Sequence, residues 1–597
     1  MAQLSTRPAA PSLPHLGRPH VLREYALVAD GERGALVGPR GEVAWMCFPG
    51  WDGDPVFASL LGAPALYAVS PVAPAVWGGW YEPGTLVWHS RWTSGASIVE
   101  CREALAFPGA RDRAVLLRRV EAVHGDARVA AVLDLRTDWG RRTLHLHRDG
   151  DAWVGAAPGL HLRWTGAAAA VACDHDGGGL ELQISLAQGE HHDLVLELSS
   201  GELGAAPAPD ALWAATAAAW HDAVPPLRTV AARDAQHACA VLRGLTTAEG
   251  GMVACATTSL PERAARGRDY DYRYAWLRDQ CYAGLAGDAA EVLPLLDAAV
   301  RFTAERVLAD GPGVRPMYRA GGAPVPGDGR VDLPGYPGAP EVHCGNAATA
   351  QFQLDVLGES LLLFAAAARR DRLDADARRA VGLAAEAVAQ RWREPDSGVW
   401  ELDTPRLWTH SRLICAAGLR AVAAAGAGDA RDAERWRGLA DALTGEAASR
   451  CVHRSGRWQR APDDGEVDTS LLLAAIRGAT PVDDPRARAT LAAVRDELSE
   501  DGYVYRFRHG DQPLGEAEGA FLLCGFWTVL AELQQGHVVD AARRFERNRA
   551  ACGPPGLFSE EYDVAQRQLR GNLPQAFVHA LLLEAAARLS AVAEAVL

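Results

Sequence analysis

The chain has 597 residues, a formal net charge of -15 and 49% hydrophobic residues, which calls for two or more domains of ordinary globular composition. No lysine occurs, so all 60 basic residues are arginine, and Schiff-base, pyridoxal-phosphate and Walker-type phosphate chemistry are excluded. With no basic block to neutralise phosphates, nucleic acid is excluded as a partner.

The opening "MAQLSTRPAAPSLPHLGRPH" has no leader-like apolar core, and 1–19 reads as a loose, disordered tail. From 20 to 201 the apolar residues alternate with period two. "VLDLRT" sets Leu133 and Leu135 on one face and Val132, Asp134 and Arg136 on the other. "LHLHR" (144–148), "LELQISL" (180–186) and "DLVLEL" (193–198) behave alike, and the pattern predicts an antiparallel β-sandwich. Within it, "HHD" (191–193) opens a strand rather than forming a metal triad. "DHDGGG" (174–179) lacks the later acidic ligands of a calcium loop and reads as a hairpin turn.

Residues 202–231 are Pro-bounded and Ala-rich, a predicted linker helix whose Trp213 and Trp220 would lie against a neighbour. From 232 to 597 the period becomes helical. Ala/Leu stretches run over 232–246, 285–307, 346–370, 375–392, 411–425, 430–450, 468–477, 485–499, 516–535, 537–549 and 574–595. In 346–370, Phe352, Val356, Leu363 and Phe364 fall on one side, as in a helix with one packed face. Roughly a dozen helices suit an (α/α)6 barrel, whereas a solenoid would carry a repeat signature that is absent. No apolar run approaches the roughly 18 residues of a membrane span. The cysteines are scattered singly, as thiols of a reducing compartment are. A soluble, cytoplasmic protein without membrane contact is expected.

The segment "RDYDYRYAWLRDQ" (268–280) follows neither period, so its charged and aromatic side chains share one partly buried surface. A sugar ring, polar at its edges and flat on its faces, suits such a surface. "GPGVRP" (311–316) follows no strand, so dinucleotide binding is unsupported. Two acidic loops remain: "PDSGVWELDTPRLWTHSR" (395–412), with Glu401 after Trp400, and "GLFSEEYD" (556–563), with Glu560 and Glu561 between Ser559 and Tyr562. A carboxyl against an indole face has a raised pKa, which suits a general acid. A second carboxylate kept ionised by Tyr and Ser hydrogen bonds suits a general base. Inverting glycosidases hold such a pair roughly 6.5–9.5 Å apart, with one water between base and sugar.

Ordered motifs then carry a resemblance over nearly the whole length. They are "REYALVADGERGALVGPRGEVAWMCFPGWDGDPVF" (23–57), "ATTSLPE" (256–262), "RDYDYRYAWLRD" (268–279), "LPGY" (333–336), "GNAATAQFQLDVLGE" (345–359), "SGVWEL" (397–402), "EGAFLLCGFW" (518–527) and "GLFSEEYDVAQRQLRGNLPQAFVHA" (556–580). The chain resembles glycoside hydrolase family 15, the glucoamylases and bacterial trehalases, in the form with an N-terminal β-sandwich. The resemblance implies an (α/α)6 catalytic barrel and inverting release of β-glucose from the non-reducing ends of small α-glucosides, without metal or organic cofactor. It implies Glu401 as acid, Glu560 as base with Glu561 beside it, and Arg278 and Asp279 gripping the innermost glucose. Trp276, Tyr272, Trp400 and His343 complete the expected sugar contacts, and Asp271 with Arg273 reads as a supporting ion pair.

The chain departs from the family pattern at Asp269–Tyr270, His343, Leu357 and Arg412. The first two place substrate choice in question. Trehalose and malto- or isomalto-oligosaccharides are level as substrates. A disaccharide phosphorylase and an inactive sugar-binding protein are the alternative readings. Three uses are open to the sheet domain: packing on the barrel, shaping the pocket rim, or mediating a homo-oligomer.

Overall fold

The computed structural model describes residues 18–173, 179–263 and 267–596. Nearly all of the expected tail and of the "DHDGGG" turn lies outside them. Two compact units divide the chain, Met1–Ala223 with Asp332–Val342, and Val224–Val331 with His343–Leu597.

The first unit is built on two antiparallel sheets. One runs Ala26–Ala29, Gly34–Val37, Glu42–Phe48, Leu66–Pro71, Ala127–Asp134, Leu180–Leu186 and Val171–Ala172, with Asp54–Phe57 beside Glu42–Phe48. The other runs Leu146–Asp149, Ala152–Ala157, Leu160–Thr165, His191–Ser199, Arg113–His124, Ile98–Leu105, Trp88–Thr93 and Val76–Tyr81. Both sheets feed one apolar core, because successive side chains on a strand point to opposite faces. Leu180, Leu182, Ile184 and Leu186 are accordingly all buried. Leu133 and Leu135 enter the shared core, while Val132 joins Leu66 and Ala68 in a separate cluster. The His–His–Asp run opens a strand: Arg119 grips Asp193 with two 2.8 Å hydrogen bonds, and His192 bonds the Gly166 carbonyl.

The segment 202–231 is helical only over α1 (Pro209–Ala223), and α1 belongs to the first unit. Trp213 and Trp220 lie two turns apart on one face. Trp220 stacks on Phe107 at 3.9 Å, and the Arg102 guanidinium lies 4.3 Å from the Trp213 ring.

The second unit is helical: α2 (Ala232–Leu245), α3 (Leu277–Ala289), α4 (Leu293–Asp310), α5 (Asp355–Arg369), α6 (Ala375–Arg391), α7 (Thr409–Ala424), α8 (Ala430–Arg450), α9 (Leu473–Ile476), α10 (Pro485–Glu497), α11 (Leu522–Gln534), α12 (Val538–Arg549) and α13 (Ala576–Val596). The odd-numbered helices from α3 to α13 pack in a closed sequence, α3 on α5, α5 on α7, α7 on α9, α9 on α11, α11 on α13, and α13 back on α3. The even-numbered ones lie against them: α2 on α13, α4 on α3, α6 on α4 and α5, α8 on α7, α10 on α11, and α12 on α11.

Two sequence expectations change here. In the stretch 346–370 a 3-10 turn at Ala347–Ala350 precedes an α-helix that starts only at Asp355, and every residue from Asp355 to Ala367 is buried, so no single packed face exists. A helix with neighbours on all sides is buried all round, and here Asp355 and Glu359 are buried with the apolar residues. Similarly, Ala576–Ala593 is long and apolar enough by composition to cross a membrane, contrary to the reading that no run approaches that length. Its window contains Glu584 and Arg588, and 67% of it is buried in the protein, between α2, α3 and α11. Core helices pass the same test.

Candidate active site

Residues 268–276 run as an irregular segment ending in the two-residue strand Ala275–Trp276, paired with Met317–Tyr318, and α3 begins at Leu277. Arg278 and Asp279 therefore occupy the first turn of a closed-ring helix, which buries them. The rest of the segment divides its labour. Asp271 and Arg273 form a fully buried bidentate pair at 2.9 and 2.8 Å. Tyr274 is core, its hydroxyl accepting from the Gly345 N–H. Tyr270 is exposed and lies parallel to Tyr272.

A cavity of about 400 Å³ opens here. Tyr272, Trp276, Arg278, Asp279, His343, Trp400, Glu401 and Glu560 all line it. Glu561 does not. It begins the strand Glu561–Asp563, on which neighbouring side chains diverge, and its buried carboxylate takes the Gly519 N–H at 2.6 Å. The expectation of Glu561 as a sugar contact is thereby corrected.

Glu401 sits in a tight turn, φ 56°, with its N–H on the Gly398 carbonyl and Gly398 itself at φ 66°. A non-glycine residue held in the left-handed region is strained by roughly 1–2 kcal/mol. The turn sends Trp400 and Glu401 different ways. The Trp400 N–H reaches both Asp468 oxygens at 2.9 Å, and its ring packs on Phe521 and Trp527. The indole that serves the Glu401 carboxylate is Trp276, which donates its N–H at 2.6 Å, and Arg278 adds an ion pair at 3.1 Å. The sequence reading assigned that role to the wrong tryptophan.

Glu560 is held differently. The Tyr272 hydroxyl lies 3.2 Å from it, whereas the Ser559 hydroxyl donates to the Glu561 carbonyl instead. Burial and then the neighbouring Glu262 push its carboxyl up to about 8, against Arg506. Of the Tyr and Ser hydrogen bonds expected to keep this carboxylate ionised, a Tyr one is made, by Tyr272, the Ser one is not, and burial works against ionisation. Burial also lifts Asp279 to about 7, opposed by Arg278 and reinforced by Glu401. His343 stands at the cavity wall bonded to Asp328 at 2.9 Å.

A family model, "Glycosyl hydrolases family 15", matches residues 240–587. The chain belongs to that family. A second model, "Trehalase-like, N-terminal", matches residues 17–217 of this family 15 hydrolase. It is similar to the trehalase of Mycolicibacterium smegmatis, 29% identical over 625 residues that cover 94% of this chain and 90% of that one. The trehalase of Mycobacterium tuberculosis is 29% identical over 94% of this chain and 89% of its own length. In fold, the crystal structure of a bacterial glucoamylase complexed with acarbose superposes with a TM-score of 0.69, at 14% identity, over 94% of this chain and 92% of that one.

Several cavity residues escaped the sequence reading. Glu262 closes the quoted motif "ATTSLPE", but nothing in one sequence marks a loop glutamate as a neighbour of Glu560. Arg506 and His509 lie in a segment that carries no motif, and both reach Glu518. Gln351, which donates to the Glu401 carbonyl at 3.1 Å, sat inside the quoted "GNAATAQFQ". Arg412, where the family pattern often has lysine, is buried in an ion pair with Asp396.

Proposed function

We propose that this family 15 hydrolase cleaves small α-glucosides from the non-reducing end with inversion, trehalose first among them. Two carboxylates lining one cavity with different partners carry this reading. Glu401, aimed by Trp276 and Arg278, protonates the glycosidic oxygen. Glu560 takes a proton from a water on the opposite face of the ring, and the resulting hydroxide adds to the anomeric carbon. Arg278 and Asp279 bind the hydroxyls of the innermost glucose by charge-assisted hydrogen bonds. Tyr272, Trp276 and Trp400 bound that sugar, and His343 with Asp328 meets the second one.

Trehalose rests on the mycobacterial relatives, named trehalases and matched over nearly their full length. The closed sequence of six helices with six against it supports an (α/α)6 barrel as the scaffold. A reducing, cytoplasmic setting belongs to the same reading, as does a saccharide as the partner.

Time-resolved proton NMR with trehalose, maltose and isomaltose, each with and without phosphate, tests the proposal. β-Glucose appearing first from trehalose is expected, and Glu401→Gln and Glu560→Gln should each lose turnover by a hundredfold or more, on the order of 3 kcal/mol or more of barrier. α-Glucose first, glucose 1-phosphate as product, or near-wild-type turnover in either variant overturns it.

A further inference from the structure

The Tyr272 hydroxyl lies 3.1 Å from Glu262 Oε1 and 3.2 Å from Glu560 Oε2. One phenol carries one hydrogen. If both carboxylates were ionised, one of these contacts would be two oxygens facing each other with no hydrogen between them. One additional proton satisfies both. It sits on Glu560, which donates to Tyr272 while Tyr272 donates to Glu262, or on Glu262 with the chain reversed. The two arrangements carry the same charge and interconvert by moving two hydrogens along two hydrogen bonds.

We propose that Glu262 is a positioning residue for the base, sharing one proton with Glu560 through Tyr272 and so governing the pH at which Glu560 is ionised. This rests on the reading of Glu560 as the base. When the shared proton lies on Glu262, Glu560 is free to accept one from water.

The surroundings fit a pair held at one negative charge. Glu262 is only 4% exposed and is fixed by Arg268, whose Nε donates at 3.0 Å. Arg268 also reaches Glu518 and Glu561, so its charge is divided among three carboxylates. Facing Glu560 are Glu262 and Tyr272 from the loops before α3, Asp279 from α3 itself, Arg506 from the segment before α11, and the Cys255 thiol. Glu401 and Tyr270 complete the charge field around Tyr272. Negative groups outnumber Arg506 at this point, and burial raises Glu560 in the same sense.

The pH dependence of kcat/KM for wild type, Glu262→Gln, Glu262→Asp and Tyr272→Phe tests the proposal. The acid limb reports ionisation of the base in the free enzyme. Glu262→Gln, which removes the charge that holds the proton on Glu560 in one of the two arrangements, should move that limb down by about one pH unit or more. Glu262→Asp, which keeps the charge, should leave it near its wild-type place. Tyr272→Phe, which removes the bridging donor, should move it up. A folded Glu262→Gln enzyme with an unmoved limb overturns the proposal. Should that variant not fold, a limb unmoved or lowered in Tyr272→Phe overturns it instead. Glu560→Gln separates the two readings. Full activity there fells the base assignment itself, whereas an inactive Glu560→Gln with an unmoved limb in Glu262→Gln fells only the proton sharing.

Discussion

At the scale of single residues, the site turns on which indole meets which acid. The Trp276 N–H holds the Glu401 carboxylate at 2.6 Å, and the Trp400 N–H is spent on Asp468. A hydrogen bond to a charged group is worth about 1.5–3 kcal/mol. Trp276→Phe should therefore lower kcat by roughly tenfold to a hundredfold with little change in KM. Trp400→Phe should act mainly on stability, read as a lower thermal midpoint with the smaller loss of kcat. Equal kcat losses in the two variants would contradict this division. The motif "VWEL" names Trp400 and Glu401 and places them in one loop, so the position of that carboxylate in the cavity wall was legible. The directions in which Trp400 and Glu401 leave the loop depend on the left-handed turn at Gly398 and Glu401, and no spacing encodes that. Glu561 was misread for a related reason: adjacent glutamates in "SEEYD" look equivalent until a strand turns one of them inward.

At the scale of elements, periodicity located the sheets and most helices but not their surroundings. The face assignment at 132–135 held because one sheet face meets the shared core and the other a smaller cluster. The prediction of a one-sided helix at 346–370 failed because α5 has α3 on one flank, α7 on the other, and α4 and α6 against it. Closed-ring helices also bury charge, and there the pairing is specific. Arg477, just after α9, meets Glu584 of α13 through two hydrogen bonds at 2.6 and 2.8 Å. Removing one member of a buried pair leaves the other charge uncompensated and costs about 3–5 kcal/mol. Glu584→Gln should accordingly lower the urea midpoint strongly, and Arg477→Met with Glu584→Leu should recover much of the loss. A Glu584→Gln protein as stable as wild type would contradict this, since Arg588, the other partner of Glu584, is itself a cation and cannot replace the lost charge.

At the scale of the whole molecule, buried titratable groups set how stability depends on pH. Burial lifts Asp30 to about 6, Asp279, Asp355 and Glu359 to about 7, and Glu560 to about 8. Burial lowers His237 to about 4, His410 to about 3, and His579 well below its ordinary value. For the carboxyls the folded state holds the proton longer than the unfolded state does. Their contribution is complete below about pH 4 and is lost as pH rises through their folded values. The histidines act in the opposite sense, since only the unfolded state charges them as pH falls below about 6.5. Between about pH 4 and 6.5 the two sets oppose each other. Above 6.5 the histidines are neutral in both states and only the carboxyls still titrate, so stability should fall as pH rises toward 8. Calorimetry across this range should show the thermal midpoint dropping by a few degrees, at about 1 °C per kcal/mol for a chain of this length. Asp355→Asn, which keeps the shape and removes one such group, should flatten the decline. A midpoint that rises from pH 6.5 to 8 would mean that these carboxyls are ionised in the folded protein, and the proton held between Glu262 and Glu560 would then have to be sought below pH 6.5.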